Sequence, residues 1–462
     1  MDGAKDRTMT TATMKRSAFD DTTDRSATRA TRATQLATRS PFSGPNAIHG
    51  REVGVVRGSW PVWLQGHLLR TAPLMAAAPR WSPAHWFDAL GLMFAIEMKD
   101  VRASLRWRLL DCEVTRAAMR GKVPLAQFAS PNRRGRIAQL FGPIPRQTDN
   151  TNVNVLPIGD EWVAMTETPH QLVIDPATLE ARSRVHYDDD LGHLMMLAHP
   201  IVSGGMVTNL ATELGPKVRV SLVSHAVTSR TRNVRARWET RELPYVHSFG
   251  LTERHGLLVA HPFRLRPLDL LWSNRGIIEH FRWHAGEATR LVRMDLGDGS
   301  IHVHETDPLF CFHTVHAFET DRATVLDLLA YDDASIVSAL SIASLADGFP
   351  DRGPKLVRLS IDRASGRVER RTLSDTTFEF PQVDRNFVGS HAERFVFGAA
   401  LQNRAGALSS EIVRVDVSNG TTRRYGDREL IFGEPLFVGA PNREREGDGV
   451  LLSVGSAERG ST

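Results

Sequence analysis

Pro244-Tyr-Val-His-Ser-Phe-Gly-Leu-Thr252 is the stretch on which the reading of this chain turns. It sets one histidine, His247, in an apolar run that ends at a glycine turn. Two other segments share that texture. One is Gly192-His-Leu-Met-Met-Leu-Ala-His-Pro200, which carries His199; the other is Leu309-Phe-Cys-Phe-His-Thr-Val-His-Ala-Phe-Glu319, centred on His313. Each reads as strand-like, and strands turn alternate side chains inward. Inward histidines on successive strands of a ring can therefore converge near its axis. Singly, such a histidine is more often a hydrogen-bonded core residue than a ligand, although histidine is the commonest protein metal ligand. His302 and His304 share one strand face, yet a solvated edge explains them equally well, so they stay outside the site.

Outward from these segments the chain is strand-rich. Short runs such as Val153–Pro157, Glu161–Thr166, Gly256–Ala260, Thr289–Asp295, Ala323–Ala330 and Glu411–Asp416 are bounded by Gly, Pro, Asp or Asn. That spacing predicts a sandwich, barrel or propeller rather than βαβ units. No fixed sequence period chooses among them. Helical spacing over Leu105–Met119 and Arg134–Phe141 predicts two helices. Residues 1–45 are rich in Thr, Ala, Arg, Ser and Asp and nearly free of large apolar residues, which predicts a disordered tail. Residues 46–462 read as one domain.

Composition narrows the function. Of the net charge of +4, most lies in residues 1–50, with eight Lys/Arg against five Asp/Glu. The folded part is then near neutral, which argues against nucleic acid as a partner. No apolar run approaches the ~20 residues of a spanning helix, and the polar start lacks the apolar stretch of a signal peptide. Cys112 and Cys311 are the only cysteines, which suits a reducing, cytoplasmic setting and excludes a cysteine-based zinc or iron–sulfur site. Neither a dinucleotide or phosphate-binding glycine loop nor a nucleophile elbow or His-Glu-x-x-His zinc helix occurs. Histidine, with 18 residues, is the remaining resource.

The wording of the three histidine segments resembles the carotenoid cleavage oxygenase family, whose first three iron-ligand motifs they match in order. Further matches are Asp149-Asn-Thr-Asn-Val-Asn-Val155, Thr166-Glu-Thr168, Asp327-Leu-Leu-Ala-Tyr-Asp-Asp333, Phe378-Glu-Phe-Pro-Gln382 and Gly433-Glu-Pro-Leu-Phe-Val438. Near the start, Trp63-Leu-Gln-Gly66 and His85-Trp-Phe-Asp88 resemble the family's opening pattern. The likeness runs from about Gly54 to Val454.

The resemblance implies an all-β, seven-bladed β-propeller with a helical and loop dome over a central metal. His199, His247 and His313 would bind Fe(2+). Glu167, Glu379 and Glu434 would accept hydrogen bonds from ligand imidazoles, Glu167 from His247 and Glu379 from His313. Phe249, Phe312, Phe318, Phe378 and Phe380 flank the motifs and would line an apolar tunnel, although aromatics beside buried histidines are often simply core. The activity implied is that of a dioxygenase splitting a conjugated C=C bond of a carotenoid or apocarotenoid with O₂. A polyene substrate comes from a bilayer, so peripheral membrane contact is expected; Arg264–Trp283 has an interfacial mixture of residues, as an ordinary insertion also would.

Two departures stand out. The family's fourth histidine, in a C-terminal Phe-His-Gly motif, has no counterpart, so the last blade is expected to be incomplete; His391 does not match it. The opening motifs appear as Arg70-Thr-Ala-Pro73 and Phe87-Asp-Ala-Leu-Gly-Leu-Met93, which marks a divergent branch. The alternatives are a stilbenoid-cleaving relative, or a non-catalytic truncated propeller binding an apolar ligand. Stilbene cleavage calls for a Tyr and a Lys on the phenol, and no tyrosine falls between Trp86 and Gln147.

Overall fold

The computed structural model describes residues 49–54, 59–74, 78, 80–100, 102–132, 146–192, 194–271, 273–345, 353–384, 394–400, 411–426 and 430–457. The expected tail, the helix expected over Arg134–Phe141, and His391 lie outside the described residues.

Strands dominate, and they pair with their neighbours in sequence to make a succession of antiparallel sheets. The first holds His49–Gly54, Gly66–Leu74, Leu90–Lys99 and Arg102–Leu109. The second spans Asn154–Ile158 to Ala181–Arg184, and the third Met195–Met196 to Asn233–Thr240. The fourth holds Gly250–Leu251, His255–Ala260, Thr289–Asp295 and Ile301–Thr306, with a separate three-stranded sheet of Leu243–Pro244, Phe263–Leu265 and Arg282–Trp283 beside it in sequence; the fifth runs from Thr314–Glu319 to Val368–Ser374, and the sixth from Glu379–Gln382 to Thr422–Gly426. Two ribbons follow, pairing Leu430–Phe432 with Gly455–Ala457 and Leu436–Gly439 with Gly449–Leu452.

Hydrophobic contacts close this succession into a ring. Leu90 and Leu92 of the first sheet pack with Val155 and Leu172 of the second. Val163 and Met165 join Ala198 and Val207; Leu210 and Leu222 join Leu258 and Val292. Leu257 and Leu291 meet Leu326 and Leu359, and Leu329 and Leu356 meet Val396 and Val413. Ala399 and Ile412 then pack on Phe432, while Leu436 and Val450 return to Leu68 and Met98 of the first sheet. This is a propeller, all-β as expected. The two ribbons lie between the sixth sheet and the first, and the described strands do not join them into one sheet.

The strand His255–Ala260 shows why the sequence takes this form. It is buried along its whole length because a sheet flanks each face. Leu258 points to the third sheet, and Leu257 and Val259 point to the fifth. Period-two geometry thus divides one apolar run between two interfaces, and each buried leucine contributes about 1.5–3 kcal/mol. Outer strands such as Val368–Ser374 are largely exposed and correspondingly polar.

The expected helix over Leu105–Met119 is half right. Arg102–Leu109 is a strand paired on both sides, and only Glu113–Met119 is helical. The Asp149 carboxylate accepts from the backbone N–H of Glu113 and Val114, filling the cap that Cys112 does not supply. Asn150 and Asn152 bond the backbone of Phe87–Gly91. Asp88, itself buried, accepts from the N–H groups of Phe128, Ala129 and Ser130 at 2.8, 2.9 and 2.6 Å. Those bonds bind the segments that form the wall above the ring axis.

Candidate metal centre

His199, His247 and His313 each lie in the short segment just before the first strand of the third sheet's hairpin series (Ile201–Ser203), the fourth sheet and the fifth sheet. They are loop residues, which corrects the strand-like reading. The reason is directional: a side chain within a strand points at a neighbouring sheet, whereas one at the strand's approach can point along the axis. Asn154 Nδ2 and Asn209 Nδ2 donate to the carbonyls of Ala198 and Leu197, at 2.9 and 2.8 Å, and fix the His199 loop. Ser248 Oγ donates to the Phe312 carbonyl at 2.8 Å and accepts from Thr314 N–H at 2.7 Å; Thr314 Oγ1 donates to the Phe249 carbonyl at 2.8 Å. The residues that follow His247 and His313 therefore lock the two loops together.

The outcome is a cluster in which the three imidazoles offer nitrogens within 4.8 Å of one another. His199 Nε2 and His247 Nε2 are 3.1 Å apart. Outward-facing nitrogens are held by carboxylates. His247 Nδ1 bonds Glu167 Oε1, and His313 Nδ1 bonds Glu379 Oε2 at 2.7 Å. Tyr331 OH donates to Glu379 Oε1 at 2.8 Å, and Phe380 N–H to Oε2 at 3.2 Å, so both carboxylate oxygens are engaged. Phe380 takes a left-handed backbone, φ 57°, at a bulge in the pairing of Glu379–Gln382, which turns Glu379 toward the axis. Opposite it, Gly398 is required: a Cβ there would come within 2.3 Å of the Phe378 ring.

Protonation fits the same picture. Burial holds His199 well below the usual imidazole range, helped by repulsion from the other two histidines. Burial and the nearby His313 take His247 down to about 3. Burial acts to lower His313 as well, but the charge and hydrogen bond of Glu379 outweigh it and keep His313 raised. Burial pushes Glu167 up to about 8, with His313 pulling the other way. With Nδ1 of His247 and His313 directed at Glu167 and Glu379, the Nε2 atoms face inward, and a metal bound there would displace the proton that Glu379 favours on His313. The donor set suits a divalent transition metal.

The cluster opens on a cavity of about 810 Å³ whose wall is mostly apolar. Phe249, Phe312 and Phe380 border it as expected. Phe318 and Phe378 do not. Phe378 is wholly buried between the fifth and sixth sheets, and Phe318 faces outward beneath the Arg358 guanidinium, 5.1 Å from its ring centre. Alternation along Thr314–Glu319 turns Phe318 from the axis, whereas Phe378 precedes the strand that begins at Glu379. The reading missed Phe87, stacked over His247 at 6.4 Å, and Phe128, 5.0 Å from Phe87. It also missed Tyr245 and Tyr331, which border the same space. Phe87 lies inside the quoted His85–Asp88 motif, and the chain returning at Phe128 is visible only in three dimensions.

The retinal pigment epithelial membrane protein family model matches residues 43–462. The chain belongs to this family. It is 29% identical to a carotenoid isomerooxygenase of Galleria mellonella over 436 residues, covering 87% of this chain and 84% of that one. It is 25% identical to the β,β-carotene 15,15'-dioxygenase of Mus musculus, covering 86% and 81%. Its fold matches variants of the Synechocystis apocarotenoid oxygenase with a TM-score of 0.80 at 22% identity, covering 92% of this chain and 90% of that one. A cobalt-substituted form of that protein matches at 0.79. These are the carotenoid oxygenases that the histidine motifs resemble.

Against the family pattern, the cluster comprises three histidines among the described residues. Glu434, expected behind a fourth, borders the cavity and pairs instead with Arg70 Nη1 at 2.9 Å, while Gln382 Nε2 donates to its other oxygen at 3.0 Å. Both cysteines are buried and free. Among the described residues, no helix is long and apolar enough to cross a membrane.

Proposed function

We propose that this protein is a non-heme iron dioxygenase that splits a conjugated double bond of a carotenoid or apocarotenoid, each alkene carbon taking one atom of O₂ to give two carbonyl products. The observation that carries this reading is the trio of converging imidazoles, two of them backed by glutamate side chains, at the wall of a mostly apolar cavity. His199, His247 and His313 would hold Fe(2+), and Glu167 and Glu379 would fix the rings of His247 and His313. Bound iron supplies the activation of O₂. The protein's own task is to exclude water and to fix one double bond of a flexible polyene beside the histidines, where positioning governs which bond reacts. Phe87, Phe312 and Phe380 present ring faces and edges for that purpose.

A phenolic stilbenoid is the weaker reading, because no lysine borders the cavity among the described residues. Membrane contact is part of the proposal: Leu268 is 68% exposed in the segment Arg264–Trp283, whose Ile277 and Phe281 border the apolar-walled cavity.

The test is iron content and product formation on the 462-residue chain. After anaerobic loading with Fe(2+), about one iron per chain should remain, and a β-carotene or apocarotenal substrate should yield aldehyde or ketone fragments. A chain that holds no iron, or holds it without cleaving any polyene, overturns the proposal.

A further inference from the structure

The cavity runs past the histidine cluster on both sides. On one side lies the dome. Ile277 and Phe281 stand between the strands His255–Ala260 and Thr289–Asp295, and Ile336 and Leu340 between Ala323–Ala330 and Lys355–Asp362. Antiparallel pairing returns those connections to the end of each sheet where His247 and His313 lie; Leu329 N–H, for example, donates to the His313 carbonyl at 3.0 Å. On the other side the lining comes from the strands nearest the axis. Val202, Leu251 and Ala317 border the cavity three or four residues beyond His199, His247 and His313. At about 3.3 Å per residue, this axial arm continues roughly 10 Å past the cluster.

The two arms differ in chemistry. Trp86, Phe128, Ile277, Phe281 and Leu340 line the dome arm, and its charged Asp88 is buried against three backbone N–H groups. The axial arm holds an ion pair that water reaches. Gln382, beyond Glu379 on the innermost strand of the sixth sheet, donates to Glu434 Oε1, and Arg70 Nη1 bonds Oε2. The side chains of Arg70 and Glu434 are 19% and 37% exposed, and both residues border the cavity. A carboxylate has about four acceptor sites, so oxygen lone pairs remain for a cation. Burial lowers His313, and the charges of Glu379 and then Glu434 act against it, so the field of Glu434 reaches the cluster. An apolar passage expels a divalent cation, which would shed water there without gaining ligands. A wet passage with a carboxylate admits it.

We infer that the axial arm is the route by which a divalent cation reaches the three histidines, drawn in by the Glu434 carboxylate, while the dome arm is left to the polyene. The inference rests on the reading of His199, His247 and His313 as metal ligands, and it gives Glu434 a part in loading the metal rather than in holding it. A route governs how fast the ion enters and leaves. Affinity is the ratio of the two rates, so narrowing the route slows both and leaves affinity unchanged.

The experiment follows Co²⁺ entering the metal-free full chain by stopped flow, through the visible absorption of histidine-bound cobalt, and leaving it into excess chelator. Val202 is 39% exposed, so the arm has room for a larger side chain there. Val202→Trp should slow uptake and release alike, by at least about tenfold, with affinity held within about twofold. Ile277→Trp, in the dome arm, should leave both rates within about twofold. Glu434→Gln should slow uptake by at least about threefold at low ionic strength, and the difference should shrink near 1 M salt, where the screening length is only about 3 Å. Rates unchanged in Val202→Trp overturn the inference, as do rates slowed equally in Ile277→Trp. Affinity lost without slower uptake also overturns it, since the substitution has then acted on the cluster. Should Val202→Trp not fold, Glu434→Gln decides, and uptake unaltered at low salt overturns the inference. If the unaltered chain binds no cobalt, the metal reading fails and the route with it. If cobalt enters as described but the iron-loaded chain cleaves no polyene, the route stands and the catalytic reading fails.

Discussion

Two pairs of buried histidines, much alike in sequence, do different things. Ala198-His199-Pro200 and Ala260-His261-Pro262 share one tripeptide, and His85 and His261 are as buried as His247. The difference lies in the partner. His247 and His313 direct Nδ1 at the carboxylates of Glu167 and Glu379. His261 Nδ1 meets the Leu309 carbonyl at 3.1 Å, and His85 Nε2 the Val337 carbonyl at 2.8 Å. A carboxylate behind an imidazole supports positive charge in front of it, whereas a carbonyl only satisfies the ring. A carboxylate behind a buried ring is not sufficient by itself, since buried His255 bonds Glu319 at 2.8 Å outside the cluster; what sets His247 and His313 apart is a carboxylate behind and other imidazoles in front.

The largest test of that distinction is removal of the rings. His247→Ala or His313→Ala should abolish stoichiometric iron binding and lower cleavage by several orders of magnitude, consistent with the loss of a metal-holding group. His261→Leu should keep iron and activity while shifting thermal stability only. Iron retained in the first two, or lost in the third, would break the comparison.

Acid should act next, through the structural pair as well as through His247, which burial also lowers. Burial lowers both His85 and His261 to about 4, partly offset by their carbonyl partners. The unfolded chain, with imidazoles near the ordinary value of about 6.5, binds more protons between those limits. Their contribution to stability is therefore complete above about pH 6.5 and lost as the pH falls through about 4. Each shift corresponds to about 3 kcal/mol. Unfolding midpoints in urea, followed from pH 7 to 4, should fall steeply, and His261→Gln should flatten the slope.

Smaller effects attend the carboxylates. Glu379→Gln and Glu167→Gln keep the shape but remove the ionisable carboxyl behind each ring, and should weaken metal affinity by about 10–100-fold while the chain stays folded. Glu379 should be the more sensitive, since Tyr331 and Phe380 N–H add to its bond with His313. Competition with a calibrated chelator measures both.

These contrasts also show where the sequence is informative. Strands such as Thr289–Asp295 and Glu411–Asp416 are legible because each is a short apolar run cut by turn residues. The three histidines and their carboxylates were visible through ordered motifs that resemble a family, whereas composition alone left sandwich, barrel and propeller open. What escaped depends on contacts across the chain. Phe128 reaches the cavity because Asp88, 40 residues earlier, binds its N–H. Phe318 leaves it because strand alternation, counted from a bulge that sequence does not mark, sends it outward, and Phe378 because it packs between two sheets ahead of its strand.

The smallest effect sharpens the comparison most. Glu434 stands where the resemblance places a third carboxylate behind an imidazole, yet its partner is Arg70. Its side chain is 37% exposed, so solvent screens the pair and its contribution to stability is about 0–1 kcal/mol. If Glu434 acts only through Arg70, Arg70→Met should leave iron affinity within about twofold and stability within that range. A tenfold loss of iron affinity in Arg70→Met, matching Glu379→Gln, would mean that Glu434 acts on the metal cluster in spite of its different partner. The nearest partner would then not decide what a carboxylate beside the cluster does.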